Sequence, residues 1–569
     1  MPYEDEVQPA GRRAGYILSN ERTEALSEMD GAKFSWFHFK VCLIAGVGFF
    51  TDAYDIFAIN IASTLLDFVY HNGRVAAPLG TFIGQVLFGW LGDRAGRKRM
   101  YGVELIIIII GTFGQSLAAN GDVGTVNIYA AMIVWRFVMG VGIGGDYPLS
   151  AVISSEFASS HVRGRMLTAV FANQGWGQFS AALVGFCVLS AFKHSFSADG
   201  LKESFSFSNS TMSATLANGT SPNVVALMMD IDRTWRILVG LGCVPAAIAL
   251  YFRLTIPETP RFTMDIERNV KQATQDIDAF LNTGSYTVDK DSIVIRVMAP
   301  RASWDDFMAY FEKWANAKVL FGCAYAWFAV DVSFYGIGLN TDKFFASFGF
   351  APPLIAEDGV ASDMANLQTI NDVFTSLIHL ALANMLFSGV GLIPGYWMTF
   401  ALIEKWGRKR IQMLGFAFSA VIFLVIGLSF NHLAPSSPPP PPSSPLFAIP
   451  AGAATLLFLF CLAAFFQNFG PNTTSFIIPG EVFPTRYRST CHGLSAASGK
   501  VGAILSQFLV VGKIKSPSTV LLVFIPFMLT GFVATLFIPE TTQRTLEELS
   551  NERQDDFITG PMRQRSGSV

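Results

Sequence analysis

Charge is what this sequence has least of. Only 15% of its 569 residues are Asp, Glu, Lys or Arg, against about 25% in an ordinary soluble domain. Hydrophobic residues supply 51% of the chain, Phe alone numbers 52, and the mean hydropathy is +0.41. Such a composition cannot be solvated as a globule, which leaves an all-α membrane protein that crosses the bilayer many times. A net charge of −3 offers no basic surface for nucleic acid. Cysteine is also scarce: Cys42, Cys187, Cys243, Cys323, Cys461 and Cys491 all fall within or beside apolar runs and lack metal-ligand spacing. They read as small buried hydrophobes, which excludes a disulfide framework and a metal centre. There is no nucleotide loop, no nucleophile triad and no cofactor motif, so an enzyme is not expected; glycines such as those of GVGIGG serve close helix packing. The N-terminus lacks the basic-then-apolar pattern of a cleavable signal, and position 2 is not Gly, so insertion falls to the first apolar helix.

Apolar runs are what the sequence has in abundance. A membrane-spanning helix needs about 20 of these residues. Runs of this kind centre on 41–66, 78–93, 100–119, 127–150, 165–192 and 235–255, then on 318–340, 372–403, 411–430, 447–470, 490–513 and 518–538. The chain therefore divides into a tail (1–38), a six-helix bundle (39–256), a hydrophilic linker (257–316), a second six-helix bundle (317–539) and a polar tail (540–569). Lys and Arg gather after the second run (Arg94, Arg97, Lys98, Arg99), after the eighth (Lys405, Arg408, Lys409, Arg410) and in the linker; loops 120–127 and 431–446 have none. The bias places both tails and the linker in the cytoplasm. The long outward loop 193–234 carries Asn209 and Asn218 in glycosylation sequons, and 434–445 is a polyproline spacer.

The two halves repeat one another. GWLGDRAGRKRMYG (89–102) echoes IEKWGRKRIQMLG (403–415), SSEFASSHVRGR (154–165) loosely matches PGEVFPTRYR (479–488), and IPETPR (256–261) returns as IPETTQR (538–544). Paired halves place a binding site between them near the midplane. Several charges lie inside apolar runs, where each costs about 2.5–3.5 kcal/mol on insertion scales and marks a pathway for an ion or substrate. Arg136 and Asp146 share one run; Asp52 and Asp55 share a face of the first helix at i, i+3. Trp327, Asp331 and Tyr335 share a face of the seventh at i, i+4, i+8. Lys500 follows Asn472 by 28 residues, the interval between Asp146 and Gln174, so the two pairs occupy corresponding positions.

GDRAGRKR, its second-half partner and the two PET motifs resemble the major facilitator superfamily over about 40–545. GVGFFTDAYDIF (46–57), GGDYPLSAVISSE (144–156) and FFQNFGPNTTSFIIPGE (465–481) narrow the resemblance to the phosphate:proton symporters of fungi and plants. That resemblance implies the major facilitator fold, twelve transmembrane helices in two pseudo-symmetric bundles, and proton-driven uptake of inorganic phosphate by alternating access at the plasma membrane. It implies substrate contacts at Tyr147, Gln174, Trp327, Asp331, Tyr335 and Asn472. A proton-handling cluster is implied at Asp52, Glu104, Arg136 and Asp146, and gating at Asp93 and Arg97. An ionised Asp331 can only accept hydrogen bonds, so it would welcome protonated phosphate and repel sulfate. Arg136, always charged, would be the counter-charge that tunes Asp146 and would disfavour a bound sodium ion. Lys500 would offset the charge of phosphate or pair with a carboxylate, and Asp55 would cap or face a neighbouring helix.

Blander readings stand beside these. Packing explains Trp327 as well as binding does, a static ion pair explains Glu104 with Arg136, snorkelling explains Lys500, and topology alone explains the basic loops. A glycerophosphodiester or other organic-anion symporter, and a phosphate-sensing receptor, are the competing functions. The sequence sets no oligomeric state.

Overall fold

The structure, a computed structural model, describes residues 24, 26–70, 76–119, 127–193, 222–255, 258–265, 303–348, 367–434, 451–513 and 516–550. Asn209, Asn218, and the proline run lie outside these residues. Regular structure among the described residues is helical. Six rods form the first half: α1 (Trp36–Tyr70), α2 (Ala76–Ala95), α3 (Arg97–Ser116), α4 (Ile128–Phe157), α5 (Arg163–Ala191) and α6 (Pro222–Gly240 continued by Cys243–Arg253). The second half repeats them: α7 (Trp314–Gly338), α8 (Leu367–Leu386 running through Phe387–Leu392 to Ile393–Trp406), α9 (Arg408–Leu433), α10 (Ala451–Asn468 and Pro471–Val482), α11 (Arg488–Gln507 with Phe508–Lys513) and α12 (Pro517–Thr535). Each expected run is thus a helix.

Composition alone would have found fewer. Eight of these rods are long and apolar enough to cross a membrane by that measure, and α2, α3, α5 and α11 are not. The reason is where they sit. Helices α5 and α11 turn Gln174, Gln178, His492, Ser495, Lys500 and Ser506 into the interior, while α2 and α3 flank the basic loop. Side chains such as Ile110, Phe113, Val134, Ile248, Val421, Leu428 and Phe458 stay exposed on the outside. An outward apolar belt around a polar interior is the arrangement that lipid requires.

The halves meet along α2 with α11 and α5 with α8, while α7 packs on α11 and α1 on α5. Within the first half, small residues set how closely α2 and α4 approach. A Cβ at Gly144 would strike the Thr81 carbonyl oxygen and the Gln85 nitrogen of α2, and one at Gly84 would strike the Val141 carbonyl oxygen. Gly144→Val is therefore expected to lower stability by about 1–3 kcal/mol through overpacking, read as a lower melting temperature in detergent. A Tyr251→Ala control on the lipid-facing side, where the ring is exposed, should move it far less.

Candidate functional site

The basic loops build a charged layer at one end of both bundles. Gly96 and Gly407 adopt positive φ, 101° and 88°, a conformation glycine reaches without a Cβ penalty. That turn starts α3 and α9, whose first backbone N–H groups find the PET carboxylates. The Lys98 N–H donates to Glu258 at 3.2 Å, and the Arg408 and Lys409 N–H groups donate to Glu540 at 3.0 and 3.1 Å. A carboxylate at a helix N-terminus satisfies orphan donors and meets the helix dipole. The following threonines repeat the pattern, Thr259 donating to Glu156 and Thr541 to Glu481. Arg97 then pairs with Asp93 (3.2 Å) and Glu156 (3.4 Å), and Arg408 with Glu404 (2.6 Å) and Glu481 (3.0 Å).

These motifs also tie the bundles to each other. Asp93 at the end of α2 accepts from the Ser489 N–H (3.1 Å), the Thr490 N–H (2.7 Å) and the Thr490 hydroxyl (2.8 Å) at the start of α11. Glu404 at the end of α8 accepts from the Arg165 N–H at the start of α5 at 3.2 Å. Arg488 reaches Glu156 at 2.8 Å, and Arg97 donates to the Thr485 carbonyl at 2.7 Å. Asp30, Arg163, Arg261 and Glu547 extend the layer to the two chain ends and the linker. Burial lifts the Glu547 carboxyl but the Arg261 guanidinium pulls it down further, to about 2, so this contact is fully charged near neutral pH. The layer is closed. Asp93→Asn is expected to loosen it: Cys491, fully buried beneath Asp93 on α11, should react faster with a maleimide when it is the sole cysteine.

Between the two bundles the expected substrate residues converge. Lys500 lies 2.8 Å from Asp331 and donates to the Tyr335 hydroxyl at 3.0 Å. Its ammonium also sits over the rings of Tyr335 and Tyr147, 4.1 and 5.1 Å from their centres. The Tyr147 and Tyr335 hydroxyls are 3.4 Å apart, and Trp327 packs beside Tyr147 with its centre 6.4 Å away. Gly499 makes this approach possible, since a Cβ there would occupy the space of Trp327 and Asp331. Lys500 is 2% exposed. It does not snorkel.

Gln174 and Asn472 join through a residue that the sequence reading passed over. The Tyr396 hydroxyl donates to Gln174 at 2.9 Å, and the Asn472 amide donates to the Tyr396 oxygen at 2.9 Å. A tyrosine on α8 thus links α5 to α10 across the bundle boundary. Its only sequence signal was a phenol in the apolar stretch GYWMTF.

Beside this group lie the acids, with one correction. Arg136 does not accompany Glu104 and Asp146; Arg253, at the end of α6, does. Its guanidinium contacts Glu104, reaches Asp146 at 2.6 Å, donates to the Tyr101 carbonyl at 3.3 Å and lies over the Tyr101 ring at 3.9 Å. Gly48 leaves room for the pair, because a Cβ on α1 would collide with Arg253 and Asp146. The Ser150 hydroxyl also donates to Asp146. Asp52 completes the cluster and is buried with no hydrogen-bond partner on either oxygen. Arg136 lies elsewhere because α4 spans the bilayer: ten residues separate it from Asp146, about 15 Å of rise. There it feels the charge of Asp55, which accepts from Thr112 on α3 at 2.8 Å. Arg253 was passed over because it closes its apolar run, where an arginine reads as a boundary.

Comparison with known proteins comes to the same architecture. Residues 41–552 match the family described as sugar (and other) transporter. The repressible high-affinity phosphate permease of Neurospora crassa is 41% identical, over 94% of this chain and 90% of that protein. The inorganic phosphate transporter PHO84 of Saccharomyces cerevisiae is 38% identical, over 94% and 88%. Among solved structures, the major facilitator proton:xylose symporter XylE bound to 6-bromo-6-deoxy-D-glucose superposes with a TM-score of 0.59 at 19% identity, covering 91% of this chain and 99% of that one. At that identity the likeness is one of fold.

Proposed function

Because this chain belongs to the sugar (and other) transporter family of the major facilitator superfamily, among the inorganic phosphate transporters of fungi and plants, we propose that it imports phosphate with protons by alternating access. It is a multi-pass membrane transporter and not an enzyme. In this reading the charged layer faces the cytoplasm of a cell bounded by the plasma membrane, with both tails on that side.

The observation that carries the reading is the adjacency of two chemistries on α4. Asp146 belongs to the acid cluster with Arg253, and its neighbour Tyr147 belongs to the group with Lys500, Tyr335 and Trp327. Lys500 supplies positive charge for the anion. Asp331 accepts hydrogen bonds from the hydroxyls of a protonated phosphate, and Tyr147, Tyr335, Gln174, Tyr396 and Asn472 supply neutral donors and acceptors. Bringing an anion into a negative interior is opposed by about 2.3 kcal/mol per charge per 100 mV, so import requires accompanying cations. Three buried carboxylates and one contacting guanidinium leave places for protons, because like charges at this spacing cannot all remain ionised. Loading phosphate changes the charge one residue away and couples the two events. The charged layer then parts and the opposite end closes.

Substrate identity is tested by competition. Labelled phosphate uptake into proteoliposomes is expected to be blocked by arsenate and little affected by sulfate or glycerophosphoinositol at equal concentration. Strong inhibition by glycerophosphoinositol favours the organic-anion reading instead.

A further inference from the structure

A cavity of about 420 Å³ opens at the charged-layer end of the second bundle, separate from the Lys500 group. Its walls include Tyr310, Lys318, Phe483, Phe537, Arg544 and Glu548. That volume falls on the scale of small-molecule sites, about 300–1,000 Å³. Three pieces of chain meet around it: a linker helix (Trp304–Glu312), the start of α7 and the segment that follows α12. The Asn316 amide donates to the Tyr310 carbonyl at 2.8 Å, and the Tyr310 hydroxyl donates to the Ser550 carbonyl at 2.8 Å, which holds the three together.

The chemistry of the walls is that of an anion site with an apolar edge. Lys318 is half-buried and Arg544 exposed, and neither side chain makes a hydrogen bond or ion pair among the described residues. Glu548 can only accept hydrogen bonds when ionised, so it suits a ligand that carries an ammonium beside its anionic groups. Along the rim, Leu536 and Phe321 are 53% and 51% exposed, and the Phe321 ring lies 6.1 Å from that of Phe537. No residue of the linker helix is buried. Trp304 and Met308 share one of its faces at i, i+4 and are exposed, as is Trp314 at the start of α7. Tryptophans and an amphipathic helix so placed belong at a membrane–water boundary. A soluble anion has no use for such an edge, whereas acyl chains do.

We propose that this cavity holds the headgroup of an anionic glycerophospholipid of the phosphatidylserine type. Lys318 and Arg544 take its phosphate and carboxylate, Glu548 takes its ammonium, and the acyl chains leave past Leu536 and Phe321. With the charged layer facing the cytoplasm, the site opens into the leaflet where such lipids set a negative surface potential. The inference rests on that orientation and not on which anion is carried. Arg163 donates to the Arg544 carbonyl at 2.9 Å, and Arg261 pairs with Glu547 at 2.9 Å. A lipid that seats this segment therefore braces the charged layer.

The test is native mass spectrometry of the purified full chain titrated with phosphatidylserine, phosphatidylcholine or water-soluble glycerophosphoserine. Wild type is expected to retain phosphatidylserine about tenfold more tightly than phosphatidylcholine, and Lys318→Gln with Arg544→Gln should remove that preference, the scale of two cations at a membrane surface. Arg544→Gln keeps the backbone carbonyl that Arg163 uses. Ala315→Trp, which fills the cavity and leaves every charge in place, should remove the preference as well, even if the double variant fails to fold. Lys405→Gln with Arg410→Gln takes two exposed charges from the basic loop and should leave retention unchanged. Equal retention of the two lipids by wild type, or an equal loss in the Lys405 and Arg410 variant, overturns the site. Glycerophosphoserine bound as tightly as the lipid overturns the lipid assignment. None of these arms measures uptake, so each of these results leaves the transport reading standing.

Discussion

Asp331→Asn is expected to reduce phosphate uptake by about 100-fold or more while leaving phosphate binding measurable and letting sulfate compete. Asp331 and Lys500 form a contact of 2.8 Å with both side chains almost wholly buried. Breaking a buried pair by removing one partner costs about 3–5 kcal/mol, because the other charge is left uncompensated. In Asp331→Asn the charge left behind is positive, so an anion becomes its partner and is held rather than released. The carboxylate that requires hydroxyl donors from the substrate is gone, and sulfate, which has none near neutral pH, is no longer repelled. Lys500→Met should behave differently, since it strands a carboxylate at the proposed phosphate site and should abolish binding as well as uptake. The double variant should recover much of the lost melting temperature without recovering transport. Equilibrium binding of labelled phosphate and sulfate to the purified variants distinguishes these outcomes; equal behaviour of the two single variants contradicts the assigned roles.

Arg253→Met is expected to remove the dependence of uptake on a pH gradient and to lower the coupled rate by about 100-fold, on the same 3–5 kcal/mol scale. Arg253 is the guanidinium in contact with Glu104 and Asp146, and Asp52 lies in the same cluster. Without it the three acids face one another in an apolar interior and keep their protons throughout the cycle. A group that never releases its proton cannot couple. Arg253→Lys should restore only part of the effect, because an ammonium lacks the planar fork that holds two carboxylates at once. Uptake by both variants, measured with and without an imposed gradient, checks this against the wild type.

The sequence disclosed the architecture through apolar runs and a repeat, and both survive into the structure as matching helices and matching ion networks. The PET motifs are the clearest case: two short repeats, far apart in the chain, become two equivalent caps on α3 and α9. The Trp327, Asp331 and Tyr335 face was legible because helical spacing fixes which side chains share a side. What stayed hidden depended on contacts between helices. Spacing could not place Arg253 against Asp146, because the two are 107 residues apart and meet only when α6 folds onto α4. Arg136 and Asp146 looked like partners because they share a helix, yet that helix runs through the membrane and carries them to different depths. Tyr396 gave too little signal in an apolar stretch, and its role arises only where α8 crosses α5 and α10.

Phosphate-dependent proton movement tests the central claim most directly. Wild-type protein in proteoliposomes loaded with a pH-sensitive dye should acidify the lumen when phosphate is added outside, and a protonophore should abolish the gradient-driven part of labelled phosphate accumulation. Arg253→Met should show neither response. Phosphate accumulation that proceeds equally with and without a pH gradient, with no lumenal acidification, would contradict the account.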